Sequence, residues 1–157
     1  MRSTFFYSHN AYAILAHMDT SSFSHYIVKI EYLFAAVLVA LFYVTVGHFD
    51  WWWLIVLFPI FDASMIGYIV NPHVGAITYN IVHSLVGPAL LALIYIFTVG
   101  STAADTSRPY VADGLLLFIT LIWLFHIFVD RALGFGLKHD EGFHHTHLGK
   151  IGKAAKK

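Results

Sequence analysis

The sequence contains no cysteine, so disulfide bonds, thiolate metal sites and cysteine nucleophiles are all excluded. Charged residues are also scarce: they make up 11% of the chain, against roughly 25% in soluble proteins. The formal net charge is zero, so composition gives no sign of a nucleic-acid partner. Apolar residues reach 59% of the 157 positions, which indicates a single-domain protein that is surrounded by lipid.

Long apolar runs predict an all-α fold, a four-helix transmembrane bundle. About twenty residues at a helical rise of about 1.5 Å cover the ~30 Å hydrocarbon core of a bilayer. Four runs have this length, at about 27–46, 51–70, 76–99 and 112–133. We expect residues 1–26 to form a loose or interfacial N-terminal extension, residues 27–136 the transmembrane domain, and residues 137–157 a polar tail rich in histidine and lysine.

Lysine and arginine predict the orientation of the bundle, because they are enriched in cytoplasmic segments. Arg2 and Lys29 lie at the N-terminal end, and most of the remaining basic residues lie in or near the tail. The two connections on the opposite side hold only Arg108. We therefore expect a multi-pass protein of the inner (plasma) membrane, with an N-in/C-in topology that places both termini in the cytoplasm.

Polar residues interrupt all four spans, and ionisable groups at such depths mark a functional site or a buried polar network. At helical rise, Asp62 and His126 lie about 12 Å from the cytoplasmic ends of their spans, and His83 lies about 9 Å in. Three more polar residues lie one turn nearer the surface, at roughly 5–6 Å: Glu31, Asn80 and Asp130. Because His126 and Asp130 are four residues apart, they share a helix face. The spacing predicts one shared site in the cytoplasmic half.

Several motifs occur in the order found in a known family. The first half of the chain contains Lys29-Ile30-Glu31, Asp62, Gly67-Tyr68, Asn71-Pro72-x-x-Gly75-Ala76 and Tyr79-Asn80-x-x-His83. The second half contains Asp130-Arg131-x-x-Gly134-Phe135-Gly136-Leu137-Lys138 and Thr146-His147-Leu148-Gly149. Together they resemble the small bacterial four-helix membrane proteins known as domain of unknown function 4260, over about residues 27–153. The resemblance implies the architecture and no particular reaction, since the activity of that family is not established.

The polar residue types favour a divalent metal, namely zinc, manganese or iron. The candidate ligands are Asp62, His83, His126 and Asp130. A metal-binding histidine needs its second ring nitrogen held, which Asn80 or Glu31 can do. Because such a metal activates water, the first hypothesis is hydrolysis of a membrane-associated substrate. Candidate catalytic residues are Glu31 and His147, with Tyr79, Asn80 and Arg131 in supporting positions.

Other hypotheses use the same residues. They can form a structural polar network in a non-catalytic membrane protein or an accessory subunit, although interhelical hydrogen bonds average only about 0.6 kcal/mol. An aspartate at mid-bilayer costs roughly 2.5–3.5 kcal/mol, so packing alone does not account for Asp62. A proton relay is a third hypothesis, and a membrane-protein partner or a homo-oligomer is compatible with all three. The tail histidines form a second, solvated metal candidate: His139, His144, His145 and His147.

Overall fold

The computed structural model describes residues 20–102, 111–139 and 145–150. Within these ranges, the predicted all-α fold with four helical spans is confirmed. The elements are α1 (Thr20–Thr45), α2 (Trp53–Val56), a 3-10 helix (Phe58–Ile69), α3 (Pro72–His83), α4 (Val86–Thr102), α5 (Val111–Leu133), β1 (His145–Thr146) and β2 (Gly149–Lys150). The two strands pair antiparallel. Most of the expected N-terminal extension, residues 1–19, lies outside the described ranges.

Three helices are long and apolar enough to cross a membrane: Phe23–Thr45, Pro72–Val99 and Gly114–Leu133. Large apolar side chains, such as Phe34, Leu38 and Phe97, are exposed on their outward faces. A soluble monomer rarely exposes so much contiguous apolar surface. The helices therefore indicate a membrane protein whose outer surface contacts lipid.

The second span, Trp53–Ile69, is shorter because most of it winds as a 3-10 helix. Its α-helical start covers about 6 Å and its 3-10 helix about 24 Å, since the rise per residue is about 1.5 and 2.0 Å respectively. The segment thus reaches the ~30 Å of the hydrocarbon core with fewer residues than an α-helix needs. The apolar pattern predicts an ordinary helix here. Pro59 stops the α-helical winding, because it has no N–H and its ring crowds the carbonyl of Ile55.

The third span also differs from the prediction of one helix over 76–99, because the structure divides it into α3 and α4. Ser84 leaves helical geometry, with φ -82° and ψ 151°. Pro88 lies four residues later, where it offers no N–H to the Ser84 carbonyl and its ring displaces that carbonyl. The span begins earlier than expected, at Pro72, because Asn71 Oδ1 accepts a 2.8 Å hydrogen bond from the first turn and caps the helix.

Two helix pairs position the site: α1 packs along α5, and the 3-10 helix packs along α3. The second pair approaches closely through Gly67 and Gly75, because a Cβ at either position would overlap a side chain of the partner helix. Thr78 Oγ1 donates to the Ser64 carbonyl at 2.8 Å and ties this pair together. The buried apolar core is formed by Tyr43, Leu54, Leu121 and Ile122.

Candidate metal centre

Four side chains from three helical segments meet between the spans, and we call them the four-residue cluster. Asp62 comes from the 3-10 helix, His83 is the last residue of α3, and His126 and Asp130 lie on α5. One nitrogen or oxygen atom from each lies within 4.8 Å of all the others. Both histidines and Asp130 are buried, whereas the side chain of Asp62 is 34% exposed. The cluster is therefore closed on three sides and open at Asp62.

The distances within the cluster match the size of a metal coordination sphere. His83 Nε2 lies 3.0 Å from His126 Nε2. Asp62 Oδ1 lies 3.6 Å from the first of these nitrogens and 3.7 Å from the second. Asp130 Oδ2 lies 3.5 and 3.8 Å from the same two atoms. Ligand bonds of about 2.0–2.1 Å in a tetrahedron separate the ligand atoms by about 3.3–3.4 Å. These five distances, with all four atoms within 4.8 Å of one another, are therefore compatible with one ion among them.

The ring of His83 is oriented by its own helix. Its Nδ1 lies 3.0 Å from the carbonyl oxygen of Tyr79, and its ring stacks on the Tyr79 ring with centroids 3.7 Å apart. Because a carbonyl only accepts, Nδ1 carries the hydrogen and Nε2 directs a lone pair into the cluster. The expectation that Asn80 or Glu31 holds the second nitrogen is corrected for His83, where the Tyr79 backbone takes that place.

The ring of His126 is held mainly by aromatic packing. It is fully buried, and the ring centroids of Phe58 and Phe61 lie 4.4 and 5.2 Å from its own. Among the described residues, no group meets full hydrogen-bond geometry with its Nδ1, although the backbone of Phe58 lies beside the ring. Its Nε2 is therefore the nitrogen that faces the cluster.

Two hydrogen bonds join α3 to α5 in the turn of α3 that precedes His83. The hydroxyl of Tyr79 donates to Asp130 Oδ2 at 3.0 Å, and a metal-binding carboxylate is commonly held by such a bond. The indole of Trp123 donates to the Val82 carbonyl at 2.6 Å. The break after His83 leaves that carbonyl without its usual helical partner, so Trp123 satisfies it.

Asn80 binds the tail and not the cluster. Its Nδ2 donates to the Lys138 carbonyl at 2.8 Å, and its Oδ1 accepts from the Lys138 N–H at 2.7 Å. The chain reaches this position by turning back at Gly134, whose φ of +95° is one that glycine adopts without strain. The two bonds fasten the segment after α5 against α3.

Two basic side chains are buried at this end of the bundle. Lys138 is 4% exposed, and its Nζ lies 5.0 Å from the centre of the Tyr79 ring. Burial lowers the pKa of Lys138 to about 8, against the opposing attraction of Asp130. Arg131, expected in support of the site, donates to the hydroxyl of Tyr32 at 2.9 Å and so ties α5 to α1.

The two candidate catalytic residues lie outside the four-residue cluster. Glu31 is exposed on α1, and His147 is exposed in the turn between β1 and β2. The Nδ1 of His147 accepts the Leu137 N–H at 2.8 Å, so that nitrogen is already engaged. Among the other tail histidines, His139 is exposed, whereas His144 and the side chain of His145 lie outside the described residues.

Sequence reasoning missed the roles of Trp123 and Lys138. For the first, Pro88 points only to the carbonyl of Ser84, four residues earlier, and not to the Val82 carbonyl that Trp123 binds. We find no local signal for the second, because Lys138 reaches the site only through its backbone bonds to Asn80.

Comparison with known proteins identifies the family of the chain but does not identify a reaction. A family model described as "Domain of unknown function (DUF4260)" matches residues 25–151. Neither the curated proteins nor the solved structures gave a match. The matched range includes the four-residue cluster, Tyr79 and the bonds between Asn80 and Lys138. As the motif resemblance predicts, the chain belongs to the DUF4260 family.

Proposed function

We propose that the protein is a membrane metalloprotein in which Asp62, His83, His126 and Asp130 bind one divalent cation: zinc, manganese or iron. The observation that carries the proposal is the set of distances of 3.0–3.8 Å that join the two histidine nitrogens to each other and to both carboxylate oxygens. Two carboxylates and two neutral imidazoles balance the charge of a divalent ion. This neutrality reduces the cost of placing the ion between apolar helices.

The arrangement of lone pairs favours a cation over hydrogen bonds alone. His83 Nδ1 carries a hydrogen, so its Nε2 is an acceptor that faces His126 Nε2 at 3.0 Å. Without a cation, and with both imidazoles neutral, His126 carries its hydrogen on Nε2, which leaves its Nδ1 as an acceptor beside the backbone of Phe58. With a cation, both Nε2 atoms are ligands and the His126 Nδ1–H points toward that backbone. The second arrangement leaves no two acceptors facing each other.

A metal in this cluster supports hydrolysis of a membrane-associated substrate. The 34% exposure of Asp62 provides a side from which water and substrate approach. A bound ion polarises a carbonyl or phosphoryl oxygen and lowers the pKa of water. In the hydrolysis, water supplies a hydroxyl to the electrophilic centre and a proton to the leaving group. Glu31 and His147 are kept as candidates for the proton transfer, each requiring an approach to the cluster.

We also propose that the cluster lies in the cytoplasmic half of the inner (plasma) membrane, with both termini in the cytoplasm. The bias of lysine and arginine toward the ends of the chain supports this orientation. The apolar outer surface supports the lipid bilayer as the surrounding medium.

Elemental analysis of detergent-purified protein without a histidine tag tests the metal site. We expect about one zinc, manganese or iron ion per chain, and we expect Asp62→Asn and His126→Gln to lose it while they keep their helical circular dichroism. The double variant His139→Gln/His147→Gln is the matched control, because it removes tail histidines outside the cluster, and it should keep the ion. If the wild-type protein neither contains nor takes up any of the three metals, the proposal is wrong.

A structural polar network is the second candidate function. It is favoured by the Tyr79–Asp130 hydrogen bond, which needs no ion. Both candidates predict that the same variants have a lower melting temperature, and they differ in metal content and in the response of the wild-type protein to a chelator. A network predicts that Asp62→Asn and His126→Gln lower the melting temperature of a protein that never binds metal. A metal site predicts that both variants lose the ion, and that chelation lowers the melting temperature of the wild-type protein to the level of the variants.

A further inference from the structure

The segment after α5 has a bonded partner on each of its two sides. On one side, both backbone groups of Lys138 bond to the side chain of Asn80. On the other side, Leu137 bonds to His147. Lys138 also pairs with Thr146 there, in an antiparallel bridge. The first set of bonds attaches the segment to α3, and the second set attaches the β1–β2 hairpin to the segment.

Leu137 and His147 exchange two hydrogen bonds. The backbone N–H of His147 donates to the Leu137 carbonyl at 3.0 Å, and the backbone N–H of Leu137 donates to Nδ1 of the His147 ring at 2.8 Å. In the second bond, a ring nitrogen takes the place that a backbone carbonyl has in an ordinary antiparallel pair. Unlike a carbonyl, this acceptor gains a hydrogen and becomes a donor when the ring is protonated.

The ring of His147 lies against Gly136, where no side chain displaces it. A Cβ atom at residue 136 would lie 2.6 Å from Nδ1 and 2.8 Å from Cε1 of the ring. It would also lie 3.0 Å from Cγ of Leu148, the next residue of the hairpin. A residue larger than glycine at this position would therefore push the ring away from the Leu137 N–H.

The charged groups around His147 disfavour its protonated form. Arg131 of α5 and His139 of the segment act on the ring, and both are basic, whereas the ammonium group of Lys138 lies over the Tyr79 ring. Partial burial and the charge of Arg131 lower the pKa of His147 below its ordinary value of 6.5, and the Leu137 carbonyl opposes this shift without cancelling it. The four proposed metal ligands are not among the groups that act on this ring.

We propose that protonation of His147 releases the β1–β2 hairpin from the segment after α5, so that docking of the hairpin is a pH switch. A protonated ring carries a hydrogen on Nδ1, so two N–H groups would face each other where Leu137 now donates to the ring. The bonds between Lys138 and Asn80 do not involve the ring, so the segment itself stays on α3. The inference does not depend on the proposed metal site.

The hairpin is docked at neutral pH and released in acid. The docked ring has a lowered pKa and a released ring has the ordinary one, so docking is complete above pH 6.5 and weakens as the pH falls below that value. The docking equilibrium constant falls by up to about tenfold per pH unit. The fall ends at the lowered pKa, because below it the ring is protonated in both states.

Hydrogen exchange of single amides, followed by NMR on the full chain in lipid nanodiscs, tests this switch. Rates at about pH 7.5 and about pH 5 are divided by those of the unfolded chain at the same pH. We expect the protection of the Leu137 and His147 amides to fall together in acid, on the order of tenfold. The Lys138 amide, which bonds to Asn80, should keep its protection. Constant protection of Leu137 and His147, or an equal loss at Lys138, would overturn the proposal.

His147→Asn separates the hydrogen bond from the charge. The amide oxygen of asparagine lies close to where Nδ1 lies, so it can accept the Leu137 N–H, but it does not titrate. We expect this variant to protect the Leu137 amide equally at both pH values. His139→Asn is the matched control, because it removes a nearby exposed histidine and should keep the loss in acid. A loss in His147→Asn as large as in the wild type would assign the switch to another group and overturn the role of His147.

Gly136→Ala tests the same contact without changing a titratable group, and it decides the question also where His147→Asn does not dock. The added methyl group displaces the ring, so the hairpin should be released at both pH values. The pKa of His147, measured from the ring ¹⁵N shifts, should then rise from its lowered value toward 6.5. A pKa that is the same in Gly136→Ala and in the wild type would show that docking and protonation are not linked.

Discussion

Tyr79 contacts two of the candidate metal ligands, His83 and Asp130. Its carbonyl faces His83 Nδ1, its hydroxyl donates to Asp130, and its ring stacks on the His83 ring. The ammonium group of Lys138 also lies over that ring. Tyr79 thus sets the tautomer of His83, orients the carboxylate of Asp130 and contacts the ammonium group of Lys138. A substitution of Tyr79 is therefore a direct test of the site.

We predict that Tyr79→Phe weakens metal binding about 10–100-fold, the usual cost of losing a partner that holds a ligand. The variant keeps the carbonyl and the ring, so the His83 orientation and the helical content should not change. Competition against a chromophoric chelator measures the affinity, with the exposed Tyr26→Phe as the control. A Tyr79→Phe affinity equal to that of the control would show that Asp130 needs no such partner.

Residue depth was predictable from sequence because helical rise is nearly constant. Counting from the span ends placed Asp62, His83 and His126 at one level, and their facing atoms do lie within 4.8 Å of one another. The same counting put Glu31 and Asp130 together one turn nearer the surface, yet Asp130 joins the cluster and Glu31 is exposed on α1. Depth does not give the rotation of a helix about its axis, which depends on packing between helices.

The elements that carry the cluster depart from regular α-helix where prolines lie. Pro88 explains the break at Ser84, and Pro59 explains the end of α2, although the apolar runs predict continuous spans at both places. The 3-10 winding of Phe58–Ile69 was not predictable from Pro59. Runs of 3-10 helix are normally short, and this one lies against α3 through the close approach at Gly67 and Gly75. A contact of this kind depends on the sequences of both segments, so the pattern within one segment does not predict it.

At this scale we predict that Trp123→Phe destabilises the protein by about 1–3 kcal/mol, the cost of a buried carbonyl that loses its donor. The affected group is the Val82 carbonyl, which the break in the third span has already freed. Denaturation in detergent micelles followed by circular dichroism measures the change. Trp52→Phe is the control, because Trp52 is exposed. Equal effects of the two substitutions would contradict the assigned bond.

The whole molecule is a bundle whose tail returns to its own spans. The backbone of Lys138 bonds to Asn80 across 58 positions of sequence. The sequence predicts a polar tail, but no local pattern predicts this docking, because both partners are ordinary polar groups. The consequence is that the segment around Lys138 and the β1–β2 hairpin pair with each other at one end of the bundle.

The absence of cysteine makes the orientation directly testable. We predict that Ser107→Cys reacts with a membrane-impermeant maleimide added outside intact cells, since residue 107 lies in the connection expected outside the cytoplasm. Lys157→Cys should react only after the membrane is permeabilised. The cysteine-free wild-type chain is the blank. The reverse labelling pattern would show that the bundle has the opposite orientation, with the cluster in the outer half of the membrane.

The central claim is that the four-residue cluster holds a single divalent ion, and X-ray absorption spectroscopy of the zinc-loaded protein tests it most directly. We predict two imidazole nitrogens and two carboxylate oxygens at about 2.0–2.2 Å. Because the loss of one ligand should remove the ion, His83→Gln should show no bound zinc, whereas His147→Gln should leave the spectrum unchanged. A spectrum that lacks imidazole scattering, or one that changes with His147 and not with His83, would contradict the claim.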